Sequence, residues 1–284
     1  MRHRFIVSLC IGGTLVLSAC GANDQSRVDR RLQDVNVIDE TNLSDVMLTV
    51  ADPNEAVSYF RRSTNEKPDR IDLKRGLAAS LVRAQRPTEA IPEWRKVIAM
   101  EGATNDDRVE LADAQIRAND FDGARETLNT IPPTFETFKR YRLEAISADA
   151  AKDWKKADAF YETALGLTLT PAGVLNNWGY SKLTRGDFKG AERLLTDSIR
   201  QDPNVFTAKN NLVLARGAQR NYTLPVVPMD QTERAKLLHT LALTAIKQGD
   251  VKTGQALLKE AIATSPQHFE EATRSLRALE GKNG

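Results

Sequence analysis

Side chains that could carry out catalysis are few in this sequence of 284 residues. Beyond residue 19, the only histidines are His239 and His268, and neither belongs to an HExxH or CxxC motif. The sequence also lacks a GxSxG motif and a glycine-rich phosphate-binding loop. Adjacent acids such as Glu270-Glu271 point in different directions on a helix, so we interpret them as solvated charges. We therefore predict that the protein is not an enzyme, has no catalytic residues and needs no metal or other cofactor.

Two Asn-Asn pairs, 34 residues apart, suggest hydrogen-bonding chemistry instead. A side-chain amide both donates and accepts, so it can match the N–H and C=O groups of an extended peptide. The helical phase places one tyrosine and two arginines on the same side as the amides. The alternative is that the asparagines bond between neighbouring helices. The candidate peptide-groove residues are Asn176, Asn177, Tyr180, Asn210, Asn211, Arg142 and Arg75.

The elements that must position these side chains are helix pairs in a unit of 34 residues. In residues 172–205, apolar residues recur at helical spacing on both sides of Gly186-Asp187. The glycine ends one helix, and the aspartate caps the next. Small residues recur twelve apart where the two helices would cross, since large side chains would hold the helices apart. The predicted repeat-packing residues are Ala78, Ala90, Ala112, Ala124, Ala145, Ala157, Gly179, Ala191, Ala242 and Gly254.

This recurrence predicts an all-α protein, a right-handed superhelical solenoid of helix pairs that resembles the tetratricopeptide repeat. One solenoid domain is expected over residues 44–284. Residues 221–230 contain two prolines and are predicted to be extended, either as an insertion or as a strap in the groove. The expected units are 71–104, 105–137, 138–171, 172–205 and 235–268, with half units at 44–70 and 206–220 and a capping helix at 269–279.

The N-terminus predicts export and lipid attachment. Two arginines precede an apolar run, residues 5–17, that is too short to span a bilayer. The sequence Leu-Ser-Ala-Cys that ends at Cys20 resembles the lipobox of bacterial lipoproteins, which implies cleavage before Cys20 and lipid on its sulfur. The alternative is an ordinary signal peptide. We expect residues 1–19 to be the cleaved signal peptide and residues 20–43 a flexible tether.

Charge and cysteine content narrow the class of partner. Without residues 1–19, Lys plus Arg equals Asp plus Glu in number. Binding of nucleic acid relies on neutralising phosphates with a basic surface, so we predict no nucleic-acid partner. Cys20 is the only cysteine left, and its predicted lipid rules out an intramolecular disulfide. A protein partner is therefore expected, together with a membrane reached through the lipid, and no small-molecule substrate.

The lipobox, the repeats and two longer segments together resemble the TadD family of tight-adherence (Flp) pilus assembly lipoproteins. Those segments are VLNNWGYSKLTRGD at 174–187 and FTAKNNLVLARGAQRNY at 206–222. The resemblance implies a lipoprotein of the outer membrane that faces the periplasm and assists the pilus secretin in the manner of a pilotin. The glycine after Cys20 is consistent with sorting to the outer membrane. The rival interpretation is a general cell-envelope adaptor that docks peptidoglycan enzymes or outer-membrane assembly machinery.

Overall fold

The computed structural model describes residues 43–281, which form fourteen α-helices and no strand. The predicted signal peptide, Cys20 and all but the last residue of the predicted tether lie outside the described residues. The helices are α1 (43–49), α2 (Pro53–Glu66), α3 (Ile71–Arg83), α4 (Pro87–Ile98), α5 (Asn105–Arg117), α6 (Phe121–Asn129), α7 (Phe138–Ala150), α8 (Trp154–Gly166), α9 (Ala172–Thr184), α10 (Phe188–Gln201), α11 (Phe206–Ala218), α12 (Gln231–Lys247), α13 (Val251–Thr264) and α14 (Glu270–Glu280).

The prediction of an all-α solenoid is confirmed by the order in which the helices pack. The first helix of each complete unit packs on the second, as in α3 on α4, α9 on α10 and α12 on α13. First helices also contact one another from unit to unit, along α3, α5, α7, α9 and α11. Contacts between neighbours in sequence are typical of repeat arrays. Within residues 43–281, no helix is both long and apolar enough to cross a bilayer.

The same turn joins the two helices of every complete unit. One residue in the left-handed region ends the first helix, and in four of the five turns an aspartate follows whose carboxylate accepts a backbone N–H from the second helix. At the central turn, Gly186 has φ +85° and Asp187 accepts from the N–H of Gly190 at 2.9 Å. The left-handed residues of the five turns are Gln85, Asn119, Lys152, Gly186 and Gly249.

The predicted repeat-packing residues all lie in the interior. Each of the eight alanines is 0% exposed, and Gly179 and Gly254 are buried. A Cβ atom on Gly179 would lie 2.6 Å from Cγ of Leu195, and one on Gly254 would clash with Ile246. Distances this short force a neighbour to move. At these two crossings, any residue larger than glycine would displace the side chain of Leu195 or Ile246.

One unit lacks its second helix. After α11, residues 219–230 contain no helix, although Arg220 still adopts the left-handed conformation with φ +60°. Tyr222, Leu224 and Met229 pack on the apolar cluster of α12 and α13. Val227 packs on the cluster shared by α10 and α11. The extended segment thus covers the side of the array on which the second helices α10 and α13 lie.

Candidate peptide-binding groove

Arg75 is bound to the next unit of the array. Its Nε and Nη2 donate to the two carboxylate oxygens of Asp107, both at 2.7 Å, and Nη2 also reaches the carbonyl of Gly102 at 3.0 Å. Asp107 accepts the backbone N–H of Thr104 and caps α5. Burial alone would raise the pKa of Asp107, but the guanidinium of Arg75 and the Thr104 N–H hold that pKa below its usual value. Arg75 therefore stabilises the junction of α3 and α5.

Three of the four predicted amides bond between neighbouring helices. Asn211 donates from Nδ2 to Oδ1 of Asn176 at 3.1 Å, which joins α11 to α9. Thr240 donates from Oγ1 to Oδ1 of Asn210 at 2.8 Å, which joins α12 to α11. Asn177 accepts from Asn176 at 3.4 Å, and among the described residues its own Nδ2 donates to no partner. The amides thus form an inter-helix row, and Asn177 keeps both donor hydrogens.

A central cavity of about 530 Å³ opens between α7 and α9. Ile146 and Ala150 of α7 form one wall, and Asn177 and Tyr180 of α9 form the other. Tyr180 is 53% exposed, so much of its ring lies at the open side. Pockets that bind ligands are typically about 300–1,000 Å³ and mostly apolar. The full lining of the central cavity is Phe121, Ile146, Asp149, Ala150, Trp154, Tyr161, Asn177, Tyr180, Ser181 and Thr184.

A polar network fixes the floor of the central cavity. Asp149 accepts hydrogen bonds from Oη of Tyr161 at 2.8 Å and from Oγ of Ser181 at 2.6 Å, which ties α7 to α8 and α9. Burial raises the pKa of Asp149, and burial together with the nearby Asp149 carboxylate raises the pKa of Tyr161. Trp178 stacks on Tyr161 with ring centroids 6.1 Å apart. Because these side chains are bonded to one another, the cavity floor is preorganised.

The sequence interpretation missed this network, although a signal was present. Asp149 lies four residues after Ala145, and Tyr161 lies four residues after Ala157, so each is on the packing face of its helix. Ser181 follows Gly179 by two residues and so lies on a different face of α9, where it contacts α7. A carboxylate placed on a buried face needs donors. Searching the predicted packing faces for polar residues would have found Asp149 and Tyr161, whereas Ser181 lies on another face and carries no such signal.

Arg142 lies one helical turn before Ile146 and therefore faces the same groove. Its Cζ is 6.0 Å from the ring centroid of Phe138. Its Nε is buried without a hydrogen bond, and within residues 43–281 its guanidinium forms no ion pair. Arg142 thus lies one helical turn from the cavity wall at Ile146, and it pairs with no carboxylate of the described residues.

The two histidines occupy positions near α14. Nε2 of His239 is 3.4 Å from Oγ of Ser275, and its ring is 5.3 Å from that of Phe269. Burial lowers the pKa of His239. His268 is exposed and lies 3.0 Å from Glu270. No group of three or more potential metal ligands occurs in the described part of the chain.

Comparison with known proteins defines the class of the fold. The tetratricopeptide-repeat family matches residues 75–134. The chain is also similar to solved helical-repeat structures at 12–14% identity, which establishes the fold alone. No curated protein matches the sequence. Residues 75–134 therefore match tetratricopeptide repeats, and the whole described array shares the fold of solved tetratricopeptide-repeat structures.

Three solved structures illustrate the similarity. The Cut9–Hcn1 hetero-tetramer of the APC/C aligns with a TM-score of 0.60 at 13% identity over 83% of this chain, which spans 48% of that larger chain. A tetratricopeptide repeat protein from Parabacteroides merdae aligns with a TM-score of 0.58 at 12% identity over 84% of this chain and 96% of that one. The C-terminal part of a repeat protein from Cytophaga hutchinsonii gives 0.53 at 14% identity, over 83% and 98%.

Proposed function

We propose that this protein is a binding scaffold that holds an extended segment of a partner protein in the groove along its first helices. The observation that carries the proposal is the central cavity, where an exposed Tyr180 and the unused donors of Asn177 sit above a preorganised floor. A repeat array presents such a surface without any moving part. The cavity floor is hydrogen-bonded across α7, α8 and α9. Binding therefore does not incur the entropy cost of ordering those side chains.

The cellular role is proposed from the sequence resemblance. Lipid on Cys20 anchors the scaffold to the outer membrane, on the periplasmic side, where it assists assembly of a tight-adherence (Flp) pilus by binding the secretin or another pilus component. A single acyl chain gives only marginal anchoring, whereas the additional chains of a bacterial lipoprotein make it stable. The second candidate is a general envelope adaptor for peptidoglycan enzymes or outer-membrane assembly machinery. It has the same architecture and differs only in its partner.

Crosslinking inside the cell tests the binding surface and the partner together. A photoreactive phenylalanine replaces Tyr180 in the groove, and the matched control replaces the exposed Lys189 on α10. We expect crosslinks to a pilus component from position 180 and none from position 189. Crosslinks to peptidoglycan enzymes or outer-membrane assembly proteins from position 180 would favour the adaptor. Absence of crosslinks from position 180 would contradict the proposed surface.

Membrane fractionation tests the anchor separately. In the Cys20→Ser variant, we expect a folded protein that moves from the outer-membrane fraction to the soluble fraction, because the sulfur that carries the lipid is gone. Circular dichroism provides the control, since the described helices do not include position 20. Retention of the variant in the membrane would contradict the lipid anchor and would leave the groove proposal intact.

A further inference from the structure

We propose that the central cavity and Arg142 together recognise an apolar side chain and an acidic side chain two residues apart on an extended partner segment. This inference rests on the proposed function and assigns the chemistry of the segment. The occupant is an internal stretch of the partner chain. The apolar side chain enters the cavity, and the Asp or Glu carboxylate pairs with the guanidinium of Arg142.

The lining of the cavity selects the apolar side chain. Phe121, Ile146 and Trp154 surround an opening that Tyr180 flanks. At the floor, the hydroxyls of Tyr161 and Ser181 both donate to Asp149, so neither is free to donate to an inserted group. An inserted carbonyl or carboxylate would therefore lose its water without gaining a donor at the floor, which is costly. A large apolar or aromatic side chain gains most, since aromatic rings contribute both buried area and stacking.

Comparison with neighbouring arginines selects the acidic side chain. Arg140, on the same helix, donates to Glu144 at 3.0 Å, and Arg185, which follows α9, donates to Asp158 at 2.5 Å. Arg75, at the register equivalent to Arg142 in the first complete unit, binds Asp107. Of these four arginines, only Arg142 pairs with no carboxylate within residues 43–281. A guanidinium presents a planar fork that fits a carboxylate through two hydrogen bonds, so a partner acid would complete the pattern.

Helix geometry sets the spacing between the two side chains. Arg142 and Ile146 are one turn apart on α7, which corresponds to a pitch of about 5.4 Å. In an extended peptide, side chains two residues apart point the same way and are separated by about 6.6 Å. The helix pitch and the spacing of the peptide side chains are therefore close enough for one pair of contacts. On the α9 wall of the cavity, the N–H₂ group of Asn177 is available for a backbone carbonyl of the peptide.

The position of the cavity within the array selects an internal segment rather than a chain end. The first helices continue on both sides, with α3 and α5 before α7 and with α11 and α12 after α9. A segment that lies along α7 at this pair of contacts can therefore leave it on both sides, over the neighbouring first helices. A carboxylate from a partner side chain, rather than from a C-terminus, is compatible with that path.

Peptide selection on the full chain tests the inference. A display library of random twelve-residue peptides is selected for binding, and winning peptides are synthesised with an amidated C-terminus. We expect enrichment of an apolar residue and an acidic residue two positions apart, and we expect Glu→Gln in the peptide to weaken binding at least tenfold. Selection of basic peptides, or failure to enrich any peptide, would overturn the inference. Binding that depends on a free C-terminal carboxylate would overturn it as well.

Two variants of the protein locate the bound peptide. Arg142→Gln should weaken binding at least tenfold and remove the difference between the Glu and Gln peptides, whereas Tyr180→Ala should weaken both peptides severalfold. Arg200→Gln is the matched control, because the side chain of Arg200 is 71% exposed and pairs only with Asp197 on its own helix. Unchanged binding in Arg142→Gln would overturn the inference. The proposed function would survive that result if crosslinking from position 180 persisted, so the two failures are distinguishable.

Discussion

Residues 172–205 and residues 206–230 are two versions of one unit, one with its second helix and one without it. Both begin with a first helix of 13 residues, α9 and α11, and both turn at a left-handed residue, Gly186 or Arg220. In both turns the next backbone N–H donates to the first helix, from Asp187 to Lys182 at 2.9 Å and from Asn221 to Arg216 at 3.0 Å. The two units therefore share their course up to that point.

The divergence begins at the capping position. Asp187 accepts the N–H of Gly190 and starts α10, whereas Asn221 accepts from both N–H and Oγ1 of Thr223 and forms a local turn. Proline at 225 and at 228 then blocks a helix, because proline lacks an N–H and clashes with the preceding turn. A single turn design can thus lead either to a helix or to an extended segment, depending on the next few residues.

The residue at the helix crossing differs in size between the two units. Gly179 faces Leu195 of α10, with no room for a Cβ atom. Thirty-four residues later, where no second helix follows, the residue is Val213, which is fully buried against α12 and α13. Small residues are needed where paired helices cross, and a larger side chain fills the site when the partner helix is absent.

The largest expected effect comes from adding bulk at the complete unit. Gly179→Leu should lower the free energy of unfolding by about 3 kcal/mol, because the side chain overlaps Leu195. Urea denaturation measures the change. The same substitution at Gly173, whose Cβ position meets nothing within 4 Å, is the control and should leave stability unchanged or slightly increased. Equal effects at the two glycines would contradict the role of the close crossing.

Removing bulk at the incomplete unit should have the next largest effect. Val213→Ala should lower the free energy of unfolding by about 2 kcal/mol, since it leaves a cavity between α11 and α12. Val226, which is 104% exposed, supplies the control, and Val226→Ala should be neutral. If the two alanine variants unfolded at the same urea concentration, Val213 would not be filling the site of the missing helix.

The third prediction concerns the polar network of the cavity floor. It joins residues 172–205 to the preceding unit and has no counterpart at the junction with the following unit. Asp149, Tyr161 and Ser181 join α9 to the preceding unit, whereas the residues 34 positions later are Leu183, Leu195 and Ala215. The pKa of Tyr161 is raised above about 10 by burial and by Asp149, so the unfolded state loses the phenol proton first as pH rises. Stability should therefore be retained below pH 10 and decline above it.

Tyr161→Phe should flatten this decline and cost about 1 kcal/mol at pH 7, because the hydrogen bond to Asp149 is lost. Urea midpoints for wild type and variant, measured between pH 7 and pH 11, give the comparison. Parallel curves would show that ionisation of Tyr161 is not linked to folding.

The smallest effect is expected at the two turns. Gly186→Ala should cost about 1 kcal/mol, because a Cβ atom is disfavoured at φ +85°. Arg220→Gly should be neutral or stabilise by less than about 1 kcal/mol, because it relieves the same conformation at φ +60°. Thermal unfolding measures both. If Gly186→Ala stabilised the protein, the claim that this turn needs a left-handed residue would be wrong.

The helix pairs were predictable from the sequence, because small residues and turn residues recur along it in fixed register. Gly179 and Ala191 carry that information locally. The partners of the groove side chains were not predictable in the same way. Arg75 reaches Asp107, and Asn176 meets Asn211, only because of how successive units are offset in space. The position of a residue within the repeat predicts which face of a helix its side chain occupies. It does not predict which side chain of the next unit it contacts.

The most direct test of the binding surface combines the groove crosslink with the unpaired cation. The measurement is the yield of the crosslink from position 180 in cells that carry Arg142→Gln, relative to cells with Arg142 intact. The account predicts a loss of at least tenfold, with the urea midpoint of the variant unchanged. An undiminished crosslink from a stably folded Arg142→Gln protein would contradict the proposed role of Arg142 in holding the partner at this surface.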